Sequence, residues 1–354
     1  MILLLIFFAA AAAFFLPHML LRRFGFRGVS YSLSFSQDEA SEGDTVYLTE
    51  TIVNRKLLPL PWAKAELTTH SALEFASAQS AVSEETRFVS SFFSLMPYQK
   101  IERRWRVHCA RRGMFTVSRA VLVLTDLFGT EELSEPMPDA SASITVLPAV
   151  KQATELPYPA NAVSGEFLRS RMLIPDRFAV CGIRQYLPGD ALRDISQTAS
   201  ARTESPMVWQ YQETVSPSLT VMLVMNTRER DFDAVSDKAQ FEDAVRVCAA
   251  YAWQAAQMKI PVRFCANTVL GGEPAVGRFA AGEGAAVTVL RMLAALPYTI
   301  TEKPEHLLTR ICTEDSSAVL AVGAYFPPAI KAMAAQNERI MLIHTAKREV
   351  ASRK

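Results

Sequence analysis

Two stretches of this chain gather the residue types that chemistry needs. The first runs Arg184-Gln185-Tyr186-Leu187-Pro188-Gly189-Asp190, continues through Arg193, and ends in Ala199-Ser200-Ala201-Arg202-Thr203. A catalytic reading requires Tyr186, Asp190, Arg184, Arg193 and Arg202 to converge. The structural reading is the stronger one: Asp190, between Arg184 and Arg193, is placed for an ion-pair network with bidentate geometry. That network would dock the segment onto the domain that follows, and Gly189 supplies a turn after Pro188. A partner-binding surface is the third option. The second stretch, Asn226-Thr227-Arg228-Glu229-Arg230, follows the apolar run SLTVMLVMN. In an open parallel sheet, ligands gather at the carboxyl ends of the strands, so a ligand is expected here. The loop contains no glycine and cannot form a phosphate cradle, which needs converging backbone N–H groups. Arg228, Glu229, Arg230 and Asp231 form a charge run whose plain reading is a solvated loop. Its place above the sheet makes it the expected partner contact.

Elsewhere the chemistry is sparse. His18, His70, His108, His306 and His344 are isolated, with no HExxH pattern, and no GxSxG elbow occurs. Cys109, Cys181, Cys248, Cys265 and Cys312 are far apart, odd in number and without CxxC spacing, so they read as buried free thiols of a reducing compartment. The formal net charge of +1 is spread along the chain, which leaves no footprint for nucleic acid. The expectation is a protein that binds partners, with no catalytic residues, no metal and no cofactor.

The elements that must position these stretches follow from patterning. With 354 residues, half of them hydrophobic, the chain can build two ordinary domains. Met1 to Leu16 is apolar, and the run to Leu21 adds only Pro17 and His18; as a helix it would stretch across a hydrocarbon core of about 30 Å. Residues 1–21 are therefore predicted to be a transmembrane anchor. Arg22, Arg23 and Arg27 follow the apolar run where a signal peptide would carry them ahead, and by the positive-inside rule they hold the rest in the cytoplasm. The expected location is the inner membrane, single-pass. Residues 28–150 show short alternating segments such as TVYLTETIVN and MFTVSRAVLVLTD between turn residues, which predicts an antiparallel β-sandwich. Residues 151–217 read as a polar connector. From 218 to 354, continuous apolar strands alternate with amphipathic helices, predicting an α/β domain of Rossmann type with a parallel sheet. One helix there repeats Phe241, Val245, Cys248, Ala252 and Ala255 at three and four. The overall class is α+β.

Taken together, the anchor, sandwich, connector and terminal domain resemble the domain of unknown function 58 (DUF58) family of bacterial membrane proteins. The connector carries most of the resemblance: Gly182, Arg184, Tyr186, Pro188-Gly189-Asp190, Arg193, Ile195 and the Ala199 to Thr203 run. Arg112-Gly113 with Thr125-Asp126-Leu127-Phe128-Gly129, and Asn54-Arg55 with Pro59-Leu60-Pro61-Trp62, add to it. The chain departs from the family in having Gln197 where tryptophan is usual, and in showing one membrane span where many members have two. The resemblance implies a von Willebrand factor A-like terminal domain, whose metal site needs an Asp-x-Ser-x-Ser loop and a later aspartate. This chain has Asn226, Arg228 and Arg230 at those loop positions, and Gly323 and Ala324 where the aspartate would stand. Two arginines would add positive charge to the pocket, so the metal site reads as degenerate and the loop as a partner contact. The resemblance further implies work beside a MoxR-type AAA+ ATPase and other membrane proteins of the same system, in maturing other complexes. Two other classes stand behind this one: an envelope hydrolase, and a metal-dependent adhesion-type receptor.

Overall fold

The computed structural model describes residues 7, 15–76, 79–117, 119–126, 129–150, 173–187, 192–203, 205–215, 218–315 and 317–345. The chain is mixed α/β with open sheets, and it divides into two compact units. One is Met1–Ala149 with Leu293–Ala295; the other is Val150–Met292 with Leu296–Lys354.

The described strands of the first unit are β1 (Val29–Phe35), β2 (Glu39–Ser41), β3 (Thr45–Asn54), β4 (Leu60–His70), β5 (Leu73–Phe75), β6 (Gln79–Ser83), β7 (Thr86–Leu95), β8 (Lys100–Cys109), β9 (Gly113–Val117), β10 (Arg119–Thr125), β11 (Glu132–Pro136) and β12 (Ala142–Leu147). They form sheets of order β1-β3-β8-β5, β11-β10-β4-β7-β6 and β2-β12-β9. Side chains of a strand point alternately to its two faces, and β3 obeys this along its length: Val46, Leu48, Glu50, Ile52 and Asn54 are buried while their neighbours are not. Leu48 and Ile52 share one core with Leu67, Val89, Leu122 and Ile144 of other strands. Gly113 sits at φ 151°, and a Cβ there would meet the Phe115 ring at 2.7 Å, so the turn after Arg112 requires glycine.

Within that apolar core lies one carboxylate. Glu50 is fully buried; Tyr31 Oη and Ser91 Oγ each donate to its Oε1 at 2.8 Å, and Trp105 Nε1 donates to its Oε2 at 3.0 Å. Tyr31 and Trp105 stand on β1 and β8, the neighbours of β3, whereas Ser91 stands on β7 of the five-stranded sheet. The carboxylate thus ties two sheets together. Burial, reinforced by Glu50, pushes the Tyr31 hydroxyl far above its ordinary pKa and keeps it a donor.

Most of the expected anchor over 1–21 lies outside the described residues. Residues 15–24 are helical, and among the described residues no helix is long and apolar enough to cross a membrane. The helical stretch is held by the strand unit: Leu21 is buried in its core, and Lys56 Nζ donates to the carbonyls of Phe24 and Gly25. His18 Nε2 stands 2.8 Å from Glu131. Burial lowers the Lys56 pKa to about 8.

In the second unit, β13 (Leu173–Gln185) pairs antiparallel with β14 (Met207–Val215), and a 3-10 turn at Leu192–Asp194 and helix α1 (Gln197–Thr203) lie between them. The stretch read as a polar connector therefore contains regular structure. Beyond it come β15 (Leu219–Val224), α2 (Lys238–Gln257), β16 (Val262–Leu270), β17 (Glu273–Val276), α3 (Glu283–Ala294), α4 (Pro304–Glu314), β18 (Ala318–Gly323), α5 (Pro328–Gln336) and β19 (Ile340–His344). The sheet order is β17-β16-β15-β18-β19, parallel except for β17. Every residue of β15 and β18 is buried, as in a parallel sheet covered on both faces. Asp237 caps α2 by accepting from Gln240 N at 3.1 Å, and the helix buries Phe241, Val245, Cys248, Ala252 and Ala255, the stripe its periodicity predicts. Helices α4 and α5 bring Leu307, Leu308, Ile311 and Ile330 onto Met222, Val224, Val319 and Ala321.

Candidate functional site

The chain leaves β15 and returns first as β16 on one side, then as β18 on the other. Such a reversal of strand order opens a crevice at the carboxyl ends of the two strands. The Asn226 to Arg230 loop stands there, and one side chain organises it. Asp231 is buried, and its Oδ2 accepts from Thr227 N at 2.8 Å, Thr227 Oγ1 at 2.6 Å and Arg228 N at 3.1 Å. Ser236 Oγ donates to its Oδ1. Burial alone would raise the pKa of Asp231, but the hydrogen bonds from Ser236 and Thr227 outweigh it and hold the carboxyl below its ordinary value. Asn226 Nδ2 donates to Asp231 O at 2.6 Å and accepts through Oδ1 from Asn267 Nδ2 at 3.2 Å. Asn267, on β16, also accepts from Met225 N at 2.9 Å and donates to Glu302 O at 3.2 Å. The buried polar groups of the loop are thus used to hold its own shape.

Because the turn closes on Asp231, what remains faces outward. Arg228, Glu229 and Arg230 are exposed, Arg228 lies 3.9 Å from Asp237, and Phe232 is 72% exposed. Beside the loop is a cleft of about 530 Å³, lined among others by Glu229, Asp231, Asp233, Glu302, Glu305 and Lys303. Arg228 and Arg230 are not among its walls. Gly323 stands where the resemblance places an aspartate, and a Cβ there would meet Val224 O at 3.0 Å, so close strand packing keeps the position small. Among the described residues, no three His, Cys, Asp or Glu side chains converge as ion ligands.

Of the connector residues, Pro188, Gly189 and Asp190 lie outside the described residues, and with them the ion pairing expected of Asp190. Arg184 Nη1 donates to Gln185 O at 3.1 Å, and Tyr186 N donates to Pro206 O at 2.9 Å across the ribbon. Arg193 and Arg202 are exposed. Ser200 has a definite task. Its Oγ donates to Ser196 O at 2.7 Å and accepts from Met207 N at 2.8 Å, clipping α1 to the start of β14.

Sequence reasoning overlooked Asp231 as the centre of the loop, Asn267 as its brace and Phe232 at its apex. The available signal was the string Asp231-Phe232-Asp233 itself, a large apolar residue between two acids just past a strand end.

Residues 182–313 match the family model described as "Protein of unknown function DUF58". The match supports the DUF58 family. The DUF58 match takes in Arg184, Tyr186, Ser200 and the whole Asn226 to Asp231 loop. No curated protein matches the chain. Among solved structures, a non-cellulosomal cohesin from Archaeoglobus fulgidus aligns at 10% identity over 33% of this chain and 91% of that one, with TM-score 0.25. The CARDB domain of a Pyrococcus furiosus protein aligns at 13% identity over 34% and 91%, with TM-score 0.23. A cohesin module of a Clostridium perfringens family 33 glycoside hydrolase aligns at 8% identity over 34% and 96%, with TM-score 0.23.

Proposed function

We propose that this chain is a membrane-anchored, non-enzymatic interaction protein that acts with a MoxR-type AAA+ ATPase in the maturation of other complexes. In this reading the first unit is a β-sandwich, the second is a von Willebrand factor A-like domain with a degenerate metal loop, and both face the cytoplasm from the inner membrane. The observation that carries it is the loop after β15. Its buried groups, Asn226, Thr227 and Asp231, satisfy one another, while Arg228, Glu229, Arg230 and Phe232 stand outside as a charged and aromatic binding face. A rigid loop with outward anchors suits recognition, since little ordering entropy remains to be lost on binding.

The test is affinity capture of the full chain, tagged at its carboxyl terminus and extracted in detergent, with and without ATP analogues. Nucleotide-dependent recovery of an AAA+ ATPase is expected, and Arg228→Glu with Arg230→Glu should reduce it. Equal recovery by the double variant would remove the loop from the contact. Recovery of periplasmic proteins alone would overturn both the topology and the adaptor role.

A further inference from the structure

One end of the strand unit exposes apolar side chains that nothing in the core requires. Leu57 in the β3–β4 connection is 76% exposed, and Met96 and Tyr98 in the β7–β8 connection are 66% and 68% exposed. The two connections are bound into one platform: Asn54 Nδ2 donates to Leu58 O at 2.9 Å and Met96 O at 3.0 Å, and Tyr98 N donates to Lys56 O at 3.3 Å. Tyr98 is held at φ 58°, a left-handed backbone that a bulky side chain seldom adopts. The exit of the helical stretch 15–24 joins the same platform, through Lys56 Nζ on the carbonyls of Phe24 and Gly25 and Arg55 N on Gly28 O at 2.7 Å.

The charge around this platform is mostly of one sign. Arg23, Arg27 and Arg55 are exposed there, beside Arg22 and Lys100, which pair with Glu131 and Glu102, and the guanidinium of Arg27 stands 5.4 Å from the centre of the Phe24 ring. The nearby acids are taken up: Asp126 accepts from Thr130, Glu131 pairs with His18 and Arg22, and Glu102 pairs with Lys100 and Arg104, which leaves Arg23, Arg27 and Arg55 as the surplus positive charge. Amphipathic aromatics and aliphatic tips among arginines match the interfacial zone of a bilayer, where rings sit at headgroup depth and basic side chains meet anionic lipid. The sequence is continuous with this assignment, since the chain enters the platform directly from the apolar run that begins at Met1.

We infer that this platform, built from Leu57, Met96, Tyr98, Phe24 and the surrounding arginines, is a second membrane contact that seats the strand unit on an anionic phospholipid surface. The inference rests on the proposed anchoring at the membrane and adds a fixed orientation to it. The test uses the full chain reconstituted into vesicles of phosphatidylcholine alone or mixed equally with phosphatidylglycerol. An environment-sensitive fluorophore is placed by Leu57→Cys, or by Ser83→Cys on β6, beside Thr86 at the far end of β7, with the unsubstituted chain labelled as the blank. Leu57 and Ser83 are both exposed, so neither substitution threatens folding. Flotation with the vesicles reads the anchor; quenching of the probe by nitroxide-bearing lipid reads the platform. Supporting results are flotation, quenching at position 57 that increases with phosphatidylglycerol, and loss of that quenching at position 83. Flotation with an unquenched, water-exposed probe at position 57 would overturn the platform while leaving the anchor intact. Equal quenching on both lipid compositions would overturn the anionic assignment, and failure to float on either would remove anchor and platform together.

Discussion

Glu50 and Asp231 are both buried carboxylates that take hydrogen bonds from neutral donors, yet they do opposite work in their units. Glu50 reaches partners on β1, β7 and β8, far away in sequence, and joins two sheets. Asp231 reaches Thr227, Arg228 and Ser236, all within one local turn, and shapes a loop. A buried acid with distant partners is a cross-brace whose loss is felt throughout the unit. One with local partners is a clasp, and its loss is felt where it stands.

The comparison can be broken in order of effect. Replacing Glu50 by alanine strands the donors of Tyr31, Ser91 and Trp105; at about 1–3 kcal/mol for each unsatisfied group, a global loss of at least about 3 kcal/mol is expected. Differential scanning calorimetry of the detergent-solubilised chain should show a lowered transition, and an unchanged one would refute the brace. Asp231→Asn should cost less, about 1–3 kcal/mol, and the loss should be local. Amide exchange would then accelerate at Thr227, Arg228 and Ser236 but not in the centre of β15.

The clasp also has a pH signature. The folded-state pKa of Asp231 lies below its unfolded value, which is about 3.9, so its stabilisation is complete above that value and is lost as pH falls through the lower folded value. Loop amides should stay equally protected from neutral pH down to about 4 and open only below it. Loosening already at mildly acidic pH would contradict the assignment. Thr227→Val removes one donor to Asp231 and the acceptor for Asp237 N, and about 1 kcal/mol is expected by chemical denaturation. Smallest of all, Arg228→Glu with Arg230→Glu should change stability by no more than about 0.5 kcal/mol, as expected of exposed positions, while altering partner capture.

How much of this was legible in the chain varies by element. The alternation of TVYLTETIVN predicts β3 and its buried face, and it places Glu50 on that face beside Leu48 and Ile52, a signal that the composition of the strand obscures. The three-and-four spacing from Phe241 to Ala255 predicts the covered side of α2. The position of the loop after β15 marks it as the place for a ligand, but what holds the loop is not written there. Spacing alone shows neither that Asp231 closes the loop nor that Glu302 and Glu305, about seventy residues away, line the cleft beside it. The serine in the Ala199 to Thr203 run looks like part of a surface motif, and only its pairing with Met207 shows it to be a clip.

The sequence alone determined what depends on periodicity and on neighbours: the strands and helices, the faces they bury, and the position of a chemically dense loop at a strand end. Only the tertiary structure decided which distant donors meet Glu50, which groups close the loop on Asp231, and which loops gather Leu57, Met96 and Tyr98 at one end. The physical reason is range. Backbone preference and burial act over a few residues, so their record is written locally, whereas the satisfaction of a buried charge and the charge of a cleft depend on groups that become neighbours only when the chain has folded.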